Sequence, residues 1–243
     1  LGANEDDLDN LMEFLVQRVD GMLHEDGGHK SRMPNNHINM MRNLIEIRNT
    51  GFASQLMQLA WLDETIAKMG AICRMWRHAD GQFARFNGAG TLSLDIIEET
   101  LARAGPKGKL LQHAPDTGFM RFSTGRSTVI MDVGQPAKEA KIATFGTLGF
   151  EFAVGQNLLV INPGQNARDL NLQRLLCSTK AHSTVSIDGR DSSDFKVNRL
   201  AQISGAELGR AKGGLLAIAS HNGYEASHGI IHHRKLYLST GGG

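Results

Sequence analysis

From Leu8 onward apolar side chains fall at Leu11, Met12, Leu15, Val19, Met22 and Leu23, the three-and-four spacing of a helix with one buried face. The string Glu25-Asp26-Gly27-Gly28 ends that helix, and Pro34 sits in the first turn of a second carrying Ile38, Met41, Ile45 and Ile47. A third is predicted from Trp61 to Arg77 on Leu62, Ile66, Met69, Ile72, Cys73 and Trp76, and a fourth from Leu94 to Ala104, stopped by Gly105-Pro106. Helices in series predict antiparallel packing. The glycine-rich, polar stretch from His78 to Gly90 reads as a loop able to line a cleft.

After Lys109 the period changes to two. Short β-branched and aromatic runs at Ser127 to Val133, Leu148 to Val154 and Leu158 to Asn162 predict strands, and Gly155-Gln156-Asn157 predicts a hairpin turn. Ser183 to Ile187 predicts another strand running into an Asp188-Gly189 turn, with further strands at Leu215 to Ser220 and Ile230 to Leu238. No helical pattern separates them, so the sheet should be antiparallel, one layer of a sandwich. The predicted fold class is α+β and multidomain, helices over 1–107 and antiparallel β structure over 108–243.

Composition narrows the function classes. Lys+Arg 26 against Asp+Glu 25 leaves a formal charge of +1, so no global field recruits nucleic acid, and an anionic substrate must be held locally. Apolar runs long enough to span a membrane are lacking, which predicts no membrane-spanning segment. Cys73 and Cys177 read as buried free thiols rather than a disulfide framework or zinc pair. No glycine-rich stretch carries the lysine-serine pair of a phosphate loop, and no serine sits in a nucleophile elbow.

Histidine is the side chain most easily used near neutral pH, and the ten histidines here gather near glycines, arginines and a tyrosine. Asp26-Gly27-Gly28-His29-Lys30-Ser31-Arg32, with His37 close behind, sets an arginine fork beside a helix N-terminus, an arrangement that could hold an anion. The plainer reading is a helix-connecting loop with solvated charges, and composition favours it about two to one. His182 opens one predicted strand and His221-Asn222-Gly223-Tyr224 closes another, followed by His228, His232 and His233. None of these pairs has the helical spacing of a zinc protease.

Taken in order, the Asp26 to Arg32 turn, Trp61-Leu62 running to Arg77-His78-Ala79-Asp80-Gly81, and Phe86-Asn87-Gly88 resemble the heparinase II/III-like family. Gly146 to Glu151, Ala181-His182-Ser183-Thr184-Val185 and His221 to Tyr224 continue the match, so the resemblance spans nearly the whole chain. It implies a fragment: the end of an incomplete α/α toroid, then the start of a β-sandwich, with a polysaccharide cleft between them. It also implies lyase chemistry on uronic-acid-containing glycans, in periplasmic or secreted proteins. β-Elimination needs a group that neutralises the uronate, a base for the C5 proton and an acid for the departing O4.

Carried across residue by residue, the resemblance matches His29 and His37, but Asn36 stands where a tyrosine is expected, and Ile142 and Thr144 stand where histidines are expected. The expected site is therefore catalytic at His29, His37 and Tyr224, with an acidic polysaccharide held by Arg32, Asn36, His221 and His232. The structural metal of some members would fall on Thr144, Asn162 and His182. One good ligand of three argues against tight zinc, so no cofactor is expected, and His182 with Asn162 is the residual metal candidate. The two other readings are a non-catalytic glycan-binding or envelope-associated protein that has lost its lyase residues, and histidines and glycines that merely maintain the junction between the halves.

Overall fold

The computed structural model describes residues 5–53, 60–106, 108–137, 144–164, 169–194 and 198–241. It is an α+β structure with antiparallel sheets. Four helices come first: α1 (Glu5–Met22), α2 (Pro34–Ala53), α3 (Ala60–Trp76) and α4 (Leu94–Arg103). Val19, Ile38, Met41, Ile45, Leu62, Ile66, Met69, Ile72 and Trp76 are buried together, as their spacing predicts, whereas Leu11, Met22 and Ile47 face outward. None of the described helices is long and apolar enough to cross a membrane.

The first sheet runs in sequence order through β1 (His113–Ala114), β2 (Phe119–Thr124), β3 (Ser127–Asp132), β4 (Phe150–Val154) and β5 (Asn157–Val160), all antiparallel. The second comprises β6 (Ile203–Ala211), β7 (Gly214–Tyr224) and β8 (Ile230–Ser239). Two short helices, α5 (Leu170–Cys177) and α6 (Glu225–His228), lie between strands.

The first sheet is a middle layer. Successive side chains on a strand point to opposite faces. Thus Phe119 and Ile130 join the helical core, while Met120, Phe122, Val129 and Met131 share a second core with Ala217, Ala219 and Leu238 of the other sheet. β3 is buried along nearly its whole length for this reason.

The same alternation aims three polar side chains at the helices: Arg121 on β2, Asp132 on β3 and Glu151 on β4. Arg121 Nη1 donates to the Met75 and Arg77 carbonyls (3.1 and 2.9 Å), covering the C-terminal end of α3. Glu151 accepts from His78 Nε2 (2.9 Å) and the Arg85 N–H (2.8 Å). Asp132 pairs with Arg32.

The structure departs from expectation at Ser183 to Ile187, at α5 and at β6, and β2 is likewise a strand where none is predicted. Ser183 to Ile187 is irregular, with only an isolated bridge from Ile187 to Arg190 around the Asp188-Gly189 turn. The loop holds its shape through side chains: Ser183 Oγ accepts from the Phe150 N–H (2.8 Å) and Thr184 Oγ1 donates to the Thr147 carbonyl (2.7 Å). A helix, α5, interrupts the strand series, its first turn capped by the Asp169 carboxylate, which accepts from Asn171 N and Leu172 N. Finally, β6 is a strand where none is predicted, because a bulge with Gly205 in the left-handed region (φ 60°) breaks its alternation between Ser204 and Glu207.

Candidate functional site at the helix–sheet junction

The connection between α1 and α2 is built around hydrogen bonds that fix its own side chains. Asp26 accepts from the Gly28 N–H (3.2 Å) and, across the junction, from Asp116 N (3.0 Å), Thr117 N (2.8 Å) and the Thr117 hydroxyl. Arg32 adopts a left-handed backbone (φ 56°) that turns its side chain into the β half. Its Nε donates to the Thr117 carbonyl (2.7 Å), Nη1 to Gln135 (2.7 Å), and Nη2 to Gly118 (3.1 Å) and the Asp132 carboxylate. A Cβ on Gly134 would lie 2.3 Å from Arg32 Nη2, so glycine is required for the fork to pass.

Arg32 was expected to grip a glycan carboxylate. It is 4% exposed, and its fork is spent on the protein's own oxygens. It is a fastener between the halves, not an open anion site.

His37 is fully buried, edge-on to Trp76 with ring centroids 5.1 Å apart. Nδ1 accepts the His29 N–H (3.2 Å), so Nε2 carries the proton and donates to the Met69 carbonyl (2.9 Å). Burial lowers its pKa to about 4. With both nitrogens committed it has no free position for acid–base work, contrary to the catalytic expectation.

His29 is half-buried. Its Nδ1 accepts the Ser31 N–H (3.0 Å), which leaves the proton of the neutral ring on Nε2, and burial, then the neighbouring His24, lower its pKa. In that tautomer it is a hydrogen-bond donor and has no lone pair free to take a proton. Asn36, at the position of the expected tyrosine, is exposed and donates through Nδ2 to Ser31 Oγ (3.2 Å). Neither its amide oxygen nor His29 Nε2 has a hydrogen-bond partner among the described residues.

Asn87 links this turn to the strand-opening segment. It is also left-handed (φ 54°), donates to the Arg32 carbonyl (2.9 Å) and accepts from Thr144 Oγ1 (3.2 Å). Thr144 thus caps an amide where a histidine was expected, and Ile142 lies outside the described residues.

The remaining predicted residues form a separate group on the second sheet. A bulge between His221 and Tyr224 leaves the Gly223 N–H outside the ladder, and His221 Nδ1 accepts it (3.0 Å). His221 Nε2–H then faces His232 Nδ1 at 3.0 Å. Burial first, then His232 and Arg234, lower the His221 pKa to about 4, and burial followed by Arg234 and His233 does the same to His232. Tyr224 is fully buried and its hydroxyl donates to the Val185 carbonyl (2.7 Å), tying the irregular loop to β7. Burial raises its pKa, the wrong direction for a base. The hydroxyl expected to act in catalysis is thus engaged by the loop.

Of the expected metal ligands, His182 keeps the Nε2 lone pair of its neutral ring, whereas the Thr144 and Asn162 side chains are hydrogen-bonded within the protein. His182 Nδ1 donates to the Ser178 carbonyl (2.8 Å), and the Asn162 amide lies between Glu151 Oε1 (3.4 Å) and Ser183 Oγ (3.4 Å). Among the described residues no group of three or more His, Cys, Asp or Glu side chains could hold a metal ion. Sequence reasoning assigned no role to Asp132, Glu151 or Arg121. Their one signal was a charge inside an otherwise apolar strand, as in Phe150-Glu151-Phe152.

Comparison with known proteins sets this geometry in a lineage. The chain is 27% identical over 248 aligned residues to FtsZ-localized protein C of Caulobacter vibrioides, covering 96% of this chain and 42% of that protein. Its fold is similar to a heparan sulfate lyase from Pedobacter heparinus (mutant form; TM-score 0.73, 12% identity, 93% of this chain and 38% of that one). It is also similar to heparinase III (TM-score 0.69, 14% identity, 94% and 41%). The chain therefore spans about two-fifths of the length of these relatives. The model of the heparinase II/III-like C-terminal domain matches residues 106–242, more than half of the chain, and the protein belongs to the heparinase II/III-like family.

Proposed function

We propose that the protein uses a heparinase-like frame to bind an acidic polysaccharide at the junction of its halves without cleaving it through the residues its lineage suggests. In this reading residues 1–107 are the closing helical hairpins of an α/α toroid, and 108–243 begin a β-sandwich. Support comes from the middle sheet, which shares one core with the helices and another with the second sheet.

One observation carries the functional reading: each group predicted to act as a base has its lone pair or hydroxyl committed to the protein itself. His37 uses both nitrogens, the neutral His29 gives its Nδ1 lone pair to the Ser31 N–H, the Tyr224 hydroxyl is given to Val185, and Asn36 replaces the expected tyrosine. An amide cannot remove a C5 proton, because its nitrogen is not basic. It can accept from a glycan hydroxyl, and His29 Nε2–H can donate to a carboxylate or sulfate.

The test is retention on immobilised heparan sulfate and alginate against neutral glycans. Wild type should be retained on the acidic supports, and Asn36→Ala and His29→Ala should each weaken binding about tenfold, the worth of one hydrogen bond to a charged or polar group. Equal retention on neutral glycan, or variants that bind like wild type, would refute the assignment.

A further inference from the structure

Away from the α1–α2 turn, a cavity of about 770 Å³ opens between the C-terminal end of α3, helix α4 and strand β2. Arg74, Arg77 and Arg121 line it, with Glu98 as the carboxylate among its walls. Glu98 is paired with Arg77, whose Nε also donates to the Gly81 carbonyl (3.1 Å). Two guanidinium charges are thus left in excess.

The two remaining arginines differ from ordinary surface cations. Arg74 Nε and Arg121 Nε are both buried without a hydrogen-bond partner among the described residues. Arg74 makes no ion pair either among those residues, and its guanidinium folds back beside Gly70. A buried N–H without a partner costs about 1–3 kcal/mol, and native structures rarely leave one so. The C-terminal end of a helix ordinarily repels anions. Here the Met75 and Arg77 carbonyls already accept from Arg121 Nη1, which removes much of that obstacle. Leu101 and Leu110 supply an apolar side to the same cavity.

We propose that this cavity is a binding site for a tetrahedral oxyanion, a phosphate or sulfate group, gripped by Arg74 and Arg121, with the apolar wall receiving whatever body carries it. Planar guanidinium forks suit such oxyanions, and the volume admits more than the bare ion. The site is independent of the glycan-binding turn, since none of its residues belongs to that turn.

The experiment is calorimetric titration of the intact protein with sodium phosphate and sodium sulfate against sodium chloride at matched ionic strength, with a hexose phosphate and a hexosamine sulfate as further arms. Saturable binding of the oxyanions over chloride is expected. Arg74→Gln should weaken it about tenfold, the loss of one charge-assisted contact, while leaving retention on alginate, which carries carboxylates but no sulfate, unchanged. Glu98→Gln should tighten it by freeing Arg77, which guards against reading a folding defect as lost binding. Tighter binding of the sugar esters than of the inorganic ions would identify the oxyanion as a substituent, and equal binding would identify a free ion. Heats no larger than those for chloride, or undiminished binding by Arg74→Gln, would overturn the proposal.

Discussion

Arg32 shows how a residue can look functional and be structural. A charged side chain on a glycine-rich turn invites a ligand, yet the left-handed backbone turns this one inward onto Asp132 and three carbonyls. Breaking a buried pair from one side costs about 3–5 kcal/mol, because the partner charge stays buried. Arg32→Ala should lose about that much stability in urea unfolding, and Arg32→Lys should recover little of it, since an ammonium cannot reach four acceptors in a plane. His37 makes a second residue-scale prediction. Its folded pKa, about 4, lies below the value of 6.5 it would have unfolded, so the unfolded chain binds the proton first. Stability is then full above the unfolded pKa and falls as pH drops from 6.5 towards 4. His37 alone contributes roughly 3 kcal/mol across that window, because each tenfold difference in proton affinity is worth about 1.4 kcal/mol. His221 and His232 act in the same direction. Chemical denaturation at a series of pH values should show the loss, and a curve that is flat or rises on acidification would contradict it.

Among the elements, those whose own side chains repeat with a fixed period were legible. Helices α1 to α4 and strands β3, β4, β7 and β8 were anticipated to within a few residues at their ends, whereas β2, β6 and α5 were not. The bulge in β6 erases alternation, α5 is only eight residues long, and β2 follows a turn whose partners lie far away in sequence. The candidate site was legible as a set of residue types but not as a set of roles. Periodicity cannot show that His221 closes a bulge or that Tyr224 reaches Val185, since both depend on register and on a loop folding back. Tyr224→Phe should therefore cost about 1 kcal/mol of stability. It should also speed amide exchange in the loop around Asp188, with β7 itself protected as before. Asp169→Ala, which removes the cap of α5, should cost about 1 kcal/mol or less, confined to that helix.

At the scale of the whole molecule, the chain keeps an α+β frame of the heparinase II/III-like family, and the proposal places the change in the chemistry at its junction. Polar fasteners (half-buried Asp26 with Thr117, and buried Arg32 with Asp132 and His78 with Glu151) join the helical half to the β half. Two of those six residues come from the turn that sequence reasoning assigned to catalysis. The measurement that tests this account most directly is incubation of the intact protein with heparan sulfate and alginate, following the ultraviolet absorbance of the unsaturated uronate that β-elimination creates. Bound glycan with no rise in absorbance is expected. A steady rise that disappears in His29→Ala, or in a variant of Tyr224, would contradict it.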